Sequence, residues 1–402
     1  MRRTLIIAII AIAIIGIGLF VYFYFFANKA GVTVAPGNIT LPMAGQGTTG
    51  NEFGTTSVPI PVTARLVKIS VGPVVPGEIV TNISIATTTT ASTTVNKSSG
   101  AVVNYIERQS GNVFTYQTHT GTITRISNKT VPGIQSAAWL PDASFAFVRY
   151  LSGDDFSTIN TYALPSTSNS SGGFFLPKNL VDLSVSSTSI LTLSSGVNGS
   201  IASLEHTNGT NVSQAFTMPL SSLRVSFAGN TQYLAFTKPS ATLAGDAFIV
   251  NSSGRFSRIV GPLNGLVALS SPSGKWALVS YTQDTAMQME LVNTATGEEV
   301  QLPVATIADK CVWAADDSTI YCGIPVNPAN NYAYPDDWYH GVIHFSDRIW
   351  KIDVADRYAQ LVLDFSKETN DSLDAEALAI DRLNTTIVFV NKNDGSLWSY
   401  QL

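Results

Sequence analysis

WLPDASFAFV, residues 139–148, reads as a short β-hairpin: an apolar residue ends one strand, Pro-Asp-Ala-Ser makes the turn, and a strongly apolar second strand follows. The frame returns as SVSSTSILTL from Ser184, FAGNTQYLAF from Phe227, SSPSGKWALV from Ser270, WAADDSTIYC from Trp313 and IDRLNTTIVF from Ile380. Successive starts lie 45, 43, 43, 43 and 67 residues apart. A repeat of this length, with room for about four strands, is the signature of a β-propeller blade.

The register can be followed through every copy. Counting the first residue as zero, position seven holds Ala146, Leu191, Leu234, Ala277, Ile320 and Ile387, and position nine holds Val148, Leu193, Phe236, Val279, Cys322 and Phe389. Residues two apart share one face of a strand. Position eight is also mostly apolar (Phe147, Ala235, Leu278, Val388), so this strand is covered on both faces, as radial stacking of blades requires. Outer hairpins follow, as in FIVNSSGRFSRIV (248–260) and MELVNTATGEEVQLPV (289–304). Upstream, AVVNYIE, NVFTYQ and GTITRI between residues 101 and 126 supply three strands of a further blade. Its inner strand is expected near residues 77–80, and the Thr-rich stretch 81–100 reads as a loop. The count is seven blades, starting near residues 62, 134, 180, 221, 264, 308 and 372, with six as the alternative if residues 62–130 are an elaboration. The last blade shows only three clear strands, and PVTARLVKI, residues 61–69, is the expected donor of the fourth, which would close the ring.

The Pro-Asp of residues 141–142 and the Pro-Ser-Gly-Lys of residues 272–275, each ahead of an apolar triplet, make residues 62–402 resemble the repeats of TolB-type, WD40-like β-propellers. Residues 185–189 and 381–385 depart from the frame, having neither Pro nor Gly. The resemblance implies a protein-binding platform of the cell envelope.

Charged residues are only 13% of the 402, the net charge is −5, and no basic stripe is present to neutralise phosphates, which argues against nucleic acid as a partner. LIIAIIAIAIIGIGLFVYFYFFA, residues 5–27, carries no charge and is long enough to cross the hydrocarbon layer as one helix. Arg2 and Arg3 precede it and only Lys29 closely follows, so the N-terminus is expected inside and the rest outside. The resulting organisation is a cytoplasmic start and signal anchor (1–30), a flexible Gly/Thr/Pro linker with Glu52 as its one charge (31–61), and an all-β propeller (62–402).

Cys311 and Cys322, the only cysteines, fall symmetrically about one hairpin turn and are expected to form a cross-strand disulfide in an exported domain. The 67-residue interval holds about 24 extra residues, including NPANNYAYPDDWYHGVIHF (327–345). Here Tyr332, Tyr334, Asp336, Asp337, Trp338, Tyr339 and His340 are the candidate contacts for a protein or a glycan, because aromatic rings give large contact area with a polar tip. The same loop reads equally as a structural element that packs its own aromatics over the ring. The alternative function is a carbohydrate-active or metal-assisted hydrolase using Asp336, Asp337 or His340. Against catalysis stands the absence of G-x-S-x-G, H-E-x-x-H and phosphate-loop motifs. No cofactor is expected.

Overall fold

A computed structural model describes residues 64–87, 96–127, 131–166 and 172–402. The described residues form seven four-stranded antiparallel sheets. Six are made from consecutive chain. Blade 1 comprises Ile79–Thr87, Asn96–Ile106, Val113–Gln117 and Thr122–Arg125; blade 2 comprises Ile134–Trp139, Phe145–Ser152, Thr158–Pro165 and Phe174–Phe175. Blade 3 runs Leu180–Val185, Ser189–Gly196, Gly199–His206 and Ser213–Met218; blade 4 runs Leu223–Ala228, Gln232–Thr237, Ala244–Val250 and Phe256–Asn264. Blade 5 has Val267–Ser270, Trp276–Gln283, Ala286–Asn293 and Glu299–Gln301, and blade 6 has Cys311–Trp313, Thr319–Pro325, Asp347–Asp353 and Tyr358–Asp364. Blade 7 joins Ala375–Ile380, Thr386–Asn391 and Leu397–Gln401 to Leu66–Lys68 from the other end of the propeller, paired Leu66↔Tyr400, Val67↔Ser399 and Lys68↔Trp398. The expected strand donation closes the ring.

The second strand of each blade carries the packing. Ala146, Leu191, Leu234, Ala277, Ile320 and Ile387 are all fully buried, and so is the intervening position at Phe147, Ala235, Leu278 and Val388. Burial of a large apolar side chain is worth roughly 1.5–3 kcal/mol, so these two-sided strands are the main source of inter-blade cohesion. First strands of neighbouring blades lie side by side. Their edge groups are satisfied across the gap: Val225 N–H donates to Asp182 Oδ2 at 2.8 Å, and Ala137 N–H to the Pro76 carbonyl at 3.1 Å. Turns on the lower face interlock where blades 4 and 5 meet. A Cβ on Gly274, at φ +77°, would sit 2.6 Å from the Ala228 backbone, and one on Gly229, at φ +66°, would sit 2.4 Å from the Ser273 carbonyl oxygen.

One local expectation is corrected. Residues 81–87 and 96–100 are strand, paired in register from Ile79↔Asn104 to Thr87↔Asn96. The β-branched Thr and Ile residues that look like low complexity favour a pleated ladder. Among the described residues no helix is long and apolar enough to cross a membrane. The anchor expected at residues 5–27 and the linker at 31–61 lie outside the described residues.

Candidate functional site

The extra residues of blade 6 connect its second strand to its third, at Pro325 and Asp347. That puts them on the upper face, with the segments that lead into each inner strand. Their centre is a single helical turn, Asp336–Tyr339.

The insertion is fastened at several points. Trp338 is 3% exposed, and its indole N–H donates to both oxygens of Asp374, at 3.2 and 3.0 Å. Phe345 N–H donates to Asp374 Oδ2 at 2.9 Å. The same carboxylate and Asp347 hold the fully buried Lys310, whose Nζ lies 2.8 Å from Asp347 Oδ2, bonds Asp374 Oδ1, and donates to the Ala375 carbonyl at 3.0 Å. Burial alone would lower the Lys310 pKa, but the charges of Asp347 and Asp374 outweigh it and hold the ammonium above its ordinary value. Rings of Trp338 and Phe345 cover this ammonium at 4.8 and 5.1 Å, and Lys392 stacks on Trp338 at 4.6 Å.

Tyr339 extends the fastening to a blade two places away. Its hydroxyl donates to Asp309 Oδ2 at 2.7 Å, and Asp309 pairs with Arg224 of blade 4 at 2.6 Å. Asp309 is half-buried, and although desolvation raises its pKa, the charge of Arg224 and the hydrogen bonds from Arg224 and Tyr339 keep its carboxyl below the usual range. Asp336 Oδ2 accepts from Ala241 N–H of blade 4 at 3.1 Å, while Asp337 Oδ2 accepts from Ala333 N–H of its own loop at 2.7 Å. Tyr334 is buried, its hydroxyl donates to the Ala329 carbonyl at 2.6 Å, and its own carbonyl accepts from Thr282 of blade 5 at 3.0 Å. Below it Gly265, at φ +66°, leaves the space it needs: a Cβ there would sit 2.7 Å from the Tyr334 carbonyl oxygen.

The candidate residues therefore divide. Trp338 and Tyr334 anchor the insertion, and Tyr339, Asp336 and Asp337 tie it to blade 4 or to itself. Both acids have a structural task and an N–H partner, and His340 is exposed. Among the described residues no three His, Cys, Asp or Glu side chains gather closely enough to hold a metal ion. Tyr332 alone of the seven lines a groove without an anchoring bond. That groove, 450 Å³, runs between the insertion and the upper loops of blades 4 and 5, and it is bounded by Asn264, Asp284, Thr285, Asn330, Asn331 and Tyr332 among others. A larger cleft of 650 Å³ lies on the opposite face, by Asn82, Pro141, Asp142, Arg382 and Leu383. Tyr332 and Tyr334 of the first were candidates in the sequence, but the rest of its wall and the whole of the second were not, because each is built from turns of separate blades.

The cysteines pair as expected. Cys311 and Cys322 are directly opposed, with Cα atoms 4.1 Å apart, and form a disulfide beside Lys310.

No family model matches this chain, and no curated protein matches it. Solved structures share its architecture. An oligogalacturonate lyase in complex with manganese is 10% identical with a TM-score of 0.50, over 82% of this chain and 98% of that one. The oligogalacturonate lyase of Vibrio parahaemolyticus is 9% identical at 0.50, over 81% and 98%, and a streptogramin B lyase is 10% identical at 0.50, over 83% and 96%. Likeness at this identity is a likeness of fold, so the chain is a seven-bladed β-propeller, and its resemblance to the TolB type rests on the repeat frame alone.

Proposed function

We propose that this protein is an extracytoplasmic binding module of the cell envelope, anchored by residues 5–27 with its N-terminus inside, and that the insertion-bearing face of the propeller recognises a protein or a glycan. One observation carries the reading: the insertion is bolted to blades 4, 5 and 7 by buried and half-buried groups, so it presents a fixed surface on which the exposed amides of Asn330 and Asn331 and the hydroxyl of Tyr332, whose half-buried ring packs against the core, make no hydrogen bond among the described residues. Rigid presentation of uncommitted polar and aromatic groups lowers the entropy lost on binding. A catalytic arrangement would instead need acids free to exchange protons, and the candidate acids here hold the loop in place.

The test is affinity capture from the native envelope with the full chain and its Tyr332→Ala variant. Capture that depends on Tyr332 supports the reading, whereas identical captured sets from both removes the insertion as the contact surface. Trp338→Ala is unsuitable for this purpose, since its burial makes it a stability variant. Protease accessibility of the propeller in intact cells checks the orientation, and protection there would reverse the placement outside.

A further inference from the structure

The groove beside Tyr332 continues past Asn330 into a second compartment of 190 Å³ that shares Thr285, Asn330 and Tyr334 with the first. Together they form a trough across the top of blade 5, a shape suited to linked rings rather than to one compact molecule.

Asx side chains elsewhere in this protein fold back onto their own turns: Asp142, Asp155, Asn208, Asn251, Asn293 and Asp316 each accept from a backbone N–H two residues on. Those of the trough do not. Among the described residues the side chains of Asn264, Asp284, Asn330, Asn331 and Tyr332 make no hydrogen bond, and all of them line the first compartment. Amides offer both donors and acceptors, as vicinal hydroxyls require, and a tyrosine offers a face and a hydroxyl. No Lys or Arg lines either compartment, and Asp284 gives the only formal charge. A polyanion is disfavoured in such a place, and a neutral ligand is not.

The wall itself is strained. Asp284 and Thr285, at φ +49° and +67°, form the two-residue turn between Trp276–Gln283 and Ala286–Asn293. Asn-Gly meets that geometry without strain, whereas a β-branched Thr with positive φ is an outlier. Strain of this kind concentrates where a surface has a task.

From this we infer that the trough is a subsite for a neutral oligosaccharide, with Tyr332 as its stacking platform and Asn330 and Asn331 as hydroxyl readers. The inference rests on the binding-module reading and narrows it to one ligand class.

Calorimetric titration tests it, using the full chain in nanodiscs so that no glycoside detergent competes. The probes are tetrasaccharides of glucose, mannose and N-acetylglucosamine, with tetragalacturonate as the anionic control. The expected result is saturable binding of a neutral tetrasaccharide with Kd on the order of 0.1–1 mM, weakened about tenfold by Tyr332→Ala and severalfold by Asn330→Ala/Asn331→Ala. Tyr332→Phe should keep most of the affinity and the wild-type melting temperature, because its ring still packs against the core beside the groove. Absence of binding by every neutral probe, equal binding by Tyr332→Ala, or tighter binding of tetragalacturonate overturns the inference. If no oligosaccharide binds while envelope capture still depends on Tyr332, the glycan inference falls and the binding-module reading stands. If both fail, both fall.

Discussion

Glu78, at the head of the inner strand of blade 1, is 7% exposed, and neither of its oxygens has a hydrogen-bond partner among the described residues. Burial pushes its pKa up to about 8; the nearby backbone N–H groups of Glu78 and Gly77 pull it down by less than burial raises it, and repulsion from Glu376 adds to the rise. A carboxyl that holds its proton more tightly when folded stabilises the fold below its unfolded pKa of 4.5, and that contribution is lost as pH rises through about 8. The melting temperature should therefore fall between pH 5 and 9, by an amount equivalent to on the order of 3–5 kcal/mol. Glu78→Gln should flatten the decline, and an unchanged slope in the variant would remove Glu78 as its source. Lys310 behaves in the opposite way because its neighbours are charged. Replacing it with Met leaves Asp347 and Asp374 buried without a counter-charge, at a cost of about 3–5 kcal/mol, measurable as a lower urea midpoint. Converting all three to apolar residues should recover most of that loss; if the triple variant is no better than Lys310→Met, the charge imbalance is not the cause.

The insertion shows what one element reveals in sequence and what it hides. A 67-residue interval among repeats of 43 marks its place, and its aromatic content marks it as packed or binding. Which of its residues face inward depends on partners 36 residues away at Asp374 and roughly twice as far at Gly265, and no local pattern encodes those distances. Trp338 reads as a contact for that reason, although its indole lies on Asp374. The hairpin of blade 1 fails differently: Thr81 to Thr87 has the propensity of a strand but not the apolar alternation that usually announces one. Gly265 gives the insertion its seat, so Gly265→Ala should lift the Tyr334 backbone. The expected cost is about 1–3 kcal/mol, with faster proteolysis within residues 326–346. Gly297→Ala is the control, since Gly297 also has positive φ, +72°, but open space around its Cβ direction. Peptide mapping that finds equal cleavage in both variants would mean that backbone strain alone, and not loss of the seat, explains the Gly265 effect.

At the scale of the whole molecule, the inter-blade cores are what the repeats foretell, because the same second-strand triplet is buried in six copies. Closure was legible too, from a final blade one strand short and an apolar stretch at the other end of the propeller. What the repeats do not show is how that strand is shared between cores. Leu66 packs among Tyr321, Ile349 and Phe389, in the core between blades 6 and 7, whereas Ile69, three residues on, packs among Val80, Val103 and Val388, in the core between blades 7 and 1. Ile69 N–H also donates to the Leu397 carbonyl at 2.7 Å, and Gln401 N–H to the Arg65 carbonyl at 2.9 Å. One short segment thus joins both sides of the last blade. A ring of this kind should unfold cooperatively only while the seam holds. Leu66→Ala and Ile69→Ala should each cost about 2–5 kcal/mol, and the double variant should open at the seam before the rest of the ring. In hydrogen exchange, amides of blades 7 and 1 should then lose protection ahead of those in blades 3 to 5, whereas in the wild type they should exchange together with them. Uniform loss of protection around the ring in the double variant would show that closure does not depend on this strand, and that the inter-blade cores hold the circle without it.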